Sequence, residues 1–266
     1  MTTNSPTGSW MRRLLSHAHG APRSGNHSRK TMRESRTFFD DQASDYRALE
    51  IGNEASNSVA ARKIEAGIRG SVLSVGGPWD QASVPPGVRV TAADVSREML
   101  RAFAEPGMTL VQCDARALPF ALSSMDHAVV PLVLHHLAVG SAWDARRQVR
   151  QALHQLRAIV RPGGTIWINE ICVQSAIYAL ELLAGPLTSR MLSVVGQPLV
   201  VMHSRSFYEK ALRETGWTDI SAEPIVAPNA RPLDLVVPVL GMPWFRIPRF
   251  AYPVRPTLFS ARRPLD

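Results

Sequence analysis

A glycine pair, two aspartates, two adjacent histidines and a glutamate each stand at the end of an apolar run. Gly76 and Gly77 close the run 72–75, and Asp94 closes the run that begins at Val88. Asp114 follows 109–112, His135 and His136 follow 127–132, and Glu170 follows 165–169. Paired glycines let backbone turn sharply and approach a ligand closely. A carboxylate at the position of Asp94 can accept both hydroxyls of a ribose. A histidine titrates near neutral pH and can take a proton from a reacting group. Adjacent histidines cannot both point the same way, so one is expected to line a cleft and the other to hold the loop. Glu170 is a second candidate base. The competing role for Asp94 and Asp114 is that of an ordinary turn or helix-capping aspartate.

The elements that place these residues alternate. Short apolar runs at 72–75, 88–92, 109–112, 127–132 and 165–169 have the length and composition of buried strands. Helical periodicity runs over 58–68, with Gly70 ending it, over 97–104, capped by Ser96 and broken by Pro106-Gly107, and over 142–159. Pro162-Gly163-Gly164 is expected to terminate that last helix. Strands alternating with helices imply a parallel sheet with right-handed crossovers. In such sheets ligands bind outside the carboxyl ends of the strands, where the residues named above stand. Further on, 176–183 and 187–195 read as apolar helices, 206–215 as a helix closed by Gly216, and 217–222 and 257–261 as the last two strands. Before the first strand, Phe38, Phe39, Ala43 and Tyr46 recur at helical intervals within 31–49.

The chain of 266 residues is 45% hydrophobic and 20% charged, which suits a globular protein. No apolar run is long enough to span a membrane, and no apolar stretch follows Arg12 and Arg13, so a cytoplasmic protein is expected. Cys113 and Cys172 are expected to be free thiols, and no Cys/His cluster has metal-ligand spacing. The net charge is +8, almost all of it arginine, with lysine only at Lys30, Lys63 and Lys210. Much of the excess sits in the two terminal stretches. No basic run is interleaved with stacking aromatics, so nucleic acid is not the expected partner.

The wording VLSVGG at 72–77, VTAADVSREML at 90–100, DARALPF at 114–120, LHHL at 134–137 and RPGG at 161–164 resembles class I S-adenosylmethionine-dependent methyltransferases of the small-molecule type. The resemblance runs continuously over 38–137 and more loosely to 216. It implies an α/β, Rossmann-like, seven-stranded and mainly parallel sheet with helices on both faces, an N-terminal helical lid and a C-terminal apolar cap. It implies S-adenosylmethionine as cofactor. Gly76 and Gly77 would then form the turn beside it, Asp94 and Val95 would meet the ribose, and Asp114 would face the adenine amino group with the amide of Ala115 near the ring. Tyr46 would lie in the lid that closes over the cofactor. His136, His135 and Glu170 would be the candidates for taking a proton from the acceptor, and His203 and Arg190 would lie in the cap. The chain departs from the family's acidic-then-Gly-x-Gly-x-Gly turn: Ser74 replaces the acid, Pro78 the second glycine and Asp80 the third.

The resulting expectation is methyl transfer to a small, largely apolar molecule. Two alternatives stand beside it. One is a methyltransferase-like scaffold that has lost the cofactor. The other is an enzyme whose acceptor is a membrane-held quinone or lipid, reached through the apolar, aromatic and arginine-bearing part of 224–256. The expected organisation is a disordered tail over 1–30 and one domain over 31–266. Within it lie a lid (31–69), a cofactor-binding core (70–170), a helical cap (171–205) and final strands with an insertion (206–266, insertion 224–256). The cap also suits a homodimer interface.

Overall fold

The structure, a computed structural model, describes residues 36–41, 43, 54–77, 84–138, 141–176, 178–179, 182–183, 200–225 and 254–265. The tail over 1–30, Tyr46, the turn residues Pro78, Trp79 and Asp80, Arg190, the helix expected over 187–195 and most of the insertion lie outside the described residues.

Residues 36–41 and 43 are helical, as the aromatic spacing implies. The chain continues with α1 (Glu54–Gly67), β1 (Ser71–Val75), β2 (Arg89–Asp94), α2 (Arg97–Ala102), β3 (Thr109–Gln112) and β4 (Met125–Pro131). A single 3-10 turn (Leu134–His136) precedes α3 (Ala142–Ile159) and β5 (Val160–Val173). The last elements are α4 (Arg205–Glu214), β6 (Thr218–Pro224) and β7 (Val254–Arg262). The seven strands form one sheet in the order β3-β2-β1-β4-β5-β7-β6. The first five are parallel, and β7 runs antiparallel between β5 and β6.

Strand alternation splits the core over the two faces of the sheet. Val72, Val90 and Val129 point to one face, where Ala60, Ala61 and Ile64 of α1 cover them together with Ile68 just after the helix. Leu73, Val75, Ala128, Val130, Ile166 and Ile168 point to the other, under Val149, Leu153 and Leu156 of α3 and Tyr208 and Leu212 of α4. Leu153 and Leu156 are fully buried, each stabilising the packing by roughly 1.5–3 kcal/mol. Order reversal between β1 and β4 opens the crevice where ligands of doubly wound sheets bind.

Some boundaries differ from the sequence reading. Helix α1 ends at Gly67, not beside Gly70. A Cβ on Gly67 would lie 2.6 Å from the Trp167 indole, so the glycine admits β5 close to the helix, while Gly70 makes the left-handed turn into β1 at φ +65. Helix α2 ends at Ala102, not 104, because Phe103 caps it. Pro162-Gly163-Gly164 is not a helix stop: α3 has already ended at Ile159, and the three residues form an irregularity inside a 14-residue strand. A Cβ on Gly164 would meet the Asp126 carbonyl at 2.3 Å, so the close pairing of β4 with β5 needs glycine there. The final strands run longer than the apolar pattern suggested, β6 to Pro224 and β7 from Val254 to Arg262, since antiparallel pairing extends past the buried residues.

Candidate active site

Two glycines with positive φ make the turn after β1. Gly76 and Gly77 take φ +91 and +95, a region open to glycine and costly for other residues. Gly76 N–H donates to the Ala93 carbonyl at 2.8 Å, tying the turn to β2. Ser74, fully buried where the family carries an acid, donates from Oγ to the Gly77 carbonyl and closes the turn on itself. A Cβ on Gly76 would sit 1.7 Å from Val133 Cγ2, whereas one on Gly77 would meet no atom within 4 Å among the described residues. The first glycine therefore admits the chain that follows β4, and the second has no crowding neighbour among the described residues. Gly76→Ala is expected to lower stability by about 2–4 kcal/mol from overlap plus backbone strain, and Gly77→Ala by about 1–2 kcal/mol from strain alone. Thermal denaturation of the two variants side by side checks this, and equal losses would contradict it.

Asp94 ends β2. Its Oδ1 accepts from Ser96 N–H at 2.7 Å, while Ser96 Oγ caps α2 by accepting from Met99 N–H at 3.0 Å. Capping thus falls to Ser96, and the Asp94 carboxylate retains accepting capacity. Burial pushes the Asp94 carboxyl up to about 6, the Ser96 N–H opposes this, and nearby Asp40 adds to it. Asp40 belongs to the helical segment before α1. It accepts from Ser96 Oγ at 2.5 Å, so that segment rests against the end of β2. Its neighbour Phe39 meets the His136 ring edge-on at 5.0 Å between centroids. One helical turn therefore touches both the Asp94 corner and the histidine pair.

Asp114 is paired with Arg116. Arg116 Nε and Nη2 donate to its oxygens at 2.8 and 2.6 Å, and Arg116 N–H adds a third bond at 2.9 Å. Burial pushes this carboxyl up, but the Arg116 contacts win and hold it below the usual carboxylate value. A fork-on-carboxylate pair leaves lone pairs for one further donor. Ala115, next in the chain, is buried. Val95, after Asp94, is partly buried.

After β4 the backbone turns through Leu132, whose φ of +53 is unusual for a branched residue. Its N–H is held by the Asn169 carbonyl at 2.8 Å. The turn delivers Leu134, His135 and His136 over the last third of β5, where Glu170 is fully buried. Glu170 Oε1 accepts from Leu134 N–H at 2.6 Å, and Oε2 pairs with His135 Nδ1 at 2.7 Å. Glu170 therefore does not open into the cleft as a base. It holds the ring of His135, whose Nε2 has no hydrogen-bond partner among the described residues. His136 packs against His135 at 4.0 Å between centroids, and burial beside that second ring keeps it neutral.

The chain before α4 completes this side. Val201 N–H donates to the His135 carbonyl at 3.0 Å, and Val173 N–H at the end of β5 to the His203 carbonyl at 3.2 Å. His203 is fully buried, hydrogen-bonded through Nδ1 to Tyr178 Oη at 2.9 Å and stacked on Phe207. Burial, with Arg146, His135 and Arg150 nearby, pushes His203 down to about 3, so it is neutral. Its Nε2 has no partner among the described residues. Sequence reasoning did not find Arg116 or the Tyr178 contact, because neither lies in a readable motif. Both cysteines are free, and burial raises Cys113 to about 11 and Cys172 to about 12, so both stay thiols. Among the described residues no group of His, Cys, Asp or Glu could hold a metal ion, and no helix is long and apolar enough to cross a membrane.

The sheet order and the glycine turn define a Rossmann-like methyltransferase fold. Residues 75–168 match the family model described as a methyltransferase domain, and the fold around them is a Rossmann-like methyltransferase fold. No curated protein matches it in sequence. Among solved structures, a chain of the Haloferax volcanii complex between a methyltransferase activator and a methyltransferase is 17% identical, with 86% of this chain and 97% of that one covered, at TM-score 0.61. The Burkholderia thailandensis 1,6-didemethyltoxoflavin-N1-methyltransferase, solved with 1,6-didemethyltoxoflavin and S-adenosylhomocysteine, is 17% identical over 93% and 94%, at TM-score 0.57. Geranyl diphosphate C-methyltransferase from Streptomyces coelicolor A3(2) is 11% identical over 77% and 75%, at TM-score 0.54.

Proposed function

We propose that the chain transfers a methyl group to a small molecule with a largely apolar body, and that His135, held by Glu170, is the general base. The observation that carries this reading is the fully buried Glu170 carboxylate on His135 Nδ1 at 2.7 Å. A carboxylate that already accepts from Leu134 N–H acts on the ring as an acceptor, so Nδ1 carries the proton and Nε2 the lone pair. The turn bearing this pair packs on the glycine turn through Val133 and Gly76. Base and cofactor corner are therefore neighbours.

The residues present fit S-adenosylmethionine. Gly77 leaves room among the described residues, Asp94 has lone pairs for ribose hydroxyls, and Asp114 and Ala115 follow β3, where the resemblance puts the adenine. When bound, that cofactor supplies a methyl made electrophilic by its positive sulfur. His135 Nε2 accepts the proton that the acceptor loses, and Glu170 stabilises the resulting imidazolium. Val133 and Gly76 fix the distance between the two corners, and Phe39, against His136, shields the cleft from water. Here His136 is a wall of the cleft.

The test is calorimetric titration of the full chain with S-adenosylmethionine and S-adenosylhomocysteine. Dissociation constants between about 1 μM and 1 mM are expected. Folded protein that takes up neither would leave the scaffold alternative standing and this reading without support.

A further inference from the structure

Arg146 differs from the other arginines of α3. Arg147 pairs with Asp144, Arg150 with Glu214, and Arg157 donates to the Gly216 carbonyl. The Arg146 guanidinium has no carboxylate or other hydrogen-bond acceptor among the described residues. It lies 5.0 Å from the centroid of the Trp143 ring and 5.3 Å from that of Phe207. Asp144, two positions away, is already committed to Ser141 and Arg147. A planar fork held against two rings keeps its edge and all five donors for another group.

The place is also informative. Helix α3 starts just after the turn that bears His135, so Trp143 and Arg146 stand at the carboxyl end of the sheet. Phe207, below Arg146, stacks on His203 at 4.2 Å. The 200–204 stretch is tied by backbone bonds to His135 and to the end of β5. His203 Nε2, fully buried and without a partner among the described residues, lies in the same aromatic group. Trp143 itself is 61% exposed, a flat face beside a cation that has no carboxylate partner among the described residues.

We propose that Arg146, braced by Trp143 and Phe207, anchors an oxyanion on the methyl acceptor, a carboxylate or a phosphate monoester, while an aromatic or otherwise flat part of the acceptor lies on Trp143. The inference rests on the reading above in placing the acceptor over β4 and β5. Arg146 donates a paired set of hydrogen bonds to the anion, which suits a guanidinium better than an ammonium. The acceptor then has an apolar body with one charged end, and the charged end fixes its orientation toward His135 Nε2.

The test titrates the full chain, with and without S-adenosylhomocysteine, with sodium benzoate, phenyl phosphate and benzyl alcohol. It follows tryptophan fluorescence and the Nε–H resonances of arginine. At least one anion is expected to bind about tenfold or more tighter than the alcohol, and the tighter of the two names the group. Arg146→Gln should weaken that anion by about tenfold or more and leave S-adenosylhomocysteine affinity within about twofold. Arg146→Lys should fall between the two, and Arg150→Gln, at the arginine already paired, should change little. Equal binding of anions and alcohol, or an unchanged anion affinity in Arg146→Gln, overturns the proposal. Anion binding that depends on Arg146 in a protein without affinity for S-adenosylhomocysteine would keep the anion site and remove the methyltransferase reading on which its role depends.

Discussion

Glu170→Gln is expected to slow methyl transfer by about 10²–10⁴-fold, the range that a positioned general base contributes, without unfolding the protein. The amide oxygen of glutamine can still accept from Leu134 N–H. Its NH₂ group must then face His135 Nδ1, where Glu170 now stands at 2.7 Å. A donor at that place obliges Nδ1 to accept, so the proton moves to Nε2 and the lone pair is lost from the cleft. The ring keeps its position and presents the wrong tautomer. His135→Gln should give a similar loss, and the double variant little more, because the two residues act as a unit. Glu170→Ala is a different experiment. It strips a fully buried pair of one partner and orphans the Leu134 N–H, which costs about 3–5 kcal/mol of stability. Ring ¹⁵N shifts of His135 read the tautomer directly and need no acceptor. An Glu170→Gln protein that turns over at the wild-type rate, or whose His135 Nε2 remains unprotonated, would remove the base from this pair.

The strand ends were legible because each closes a short apolar run with a residue that has few structural reasons to be there. Gly76, Asp94, Asp114 and His135 all fall outside the carboxyl ends of parallel strands, as the alternation of runs and helices implied. The partners of those residues were not legible. Glu170 reads as a cleft residue because it follows the apolar run 165–169, yet it lies inside β5, and strand alternation puts its side chain on the same face as Ile166, Ile168 and Cys172, beneath the His135 turn. A period of two fixes the face, but only the register of β4 against β5 shows what covers it. The sequence does not show that Arg116, two positions after Asp114, curls back onto it. Ser74 and Arg146 carry the same lesson. The first looks like a lost acid and is a brace for the glycine turn. The second is one of several arginines on an amphipathic helix until the acids are assigned to the others.

Asp94→Asn should move two measurements in opposite directions. Burial is the main reason that the carboxyl stands at about 6, with Asp40 adding to it. In the unfolded chain an aspartate titrates near 3.9. A folded-state value above the unfolded one means that the native protein holds this proton more tightly. The associated stability is fully present below about pH 4 and is lost as pH rises through 6. At pH 8 the ligand-free protein therefore carries a buried charge at a cost on the order of 1 kcal/mol, allowing for partial exposure. Asparagine removes that charge and keeps an oxygen for Ser96 N–H, so the ligand-free variant should melt higher than wild type at pH 8, with the gain vanishing at pH 4. The same change removes the ionised acceptor for ribose hydroxyls, and S-adenosylhomocysteine affinity should drop by about tenfold or more. In wild type that affinity should fall by about tenfold between pH 7 and pH 5, as the carboxylate protonates. A simple capping aspartate predicts the reverse for stability, a loss on substitution, and no effect on the nucleoside. Melting curves at pH 4 and pH 8 with calorimetry on the same samples separate the two roles. A variant that melts lower at pH 8 and binds S-adenosylhomocysteine like wild type would make Asp94 part of the α2 turn and nothing more.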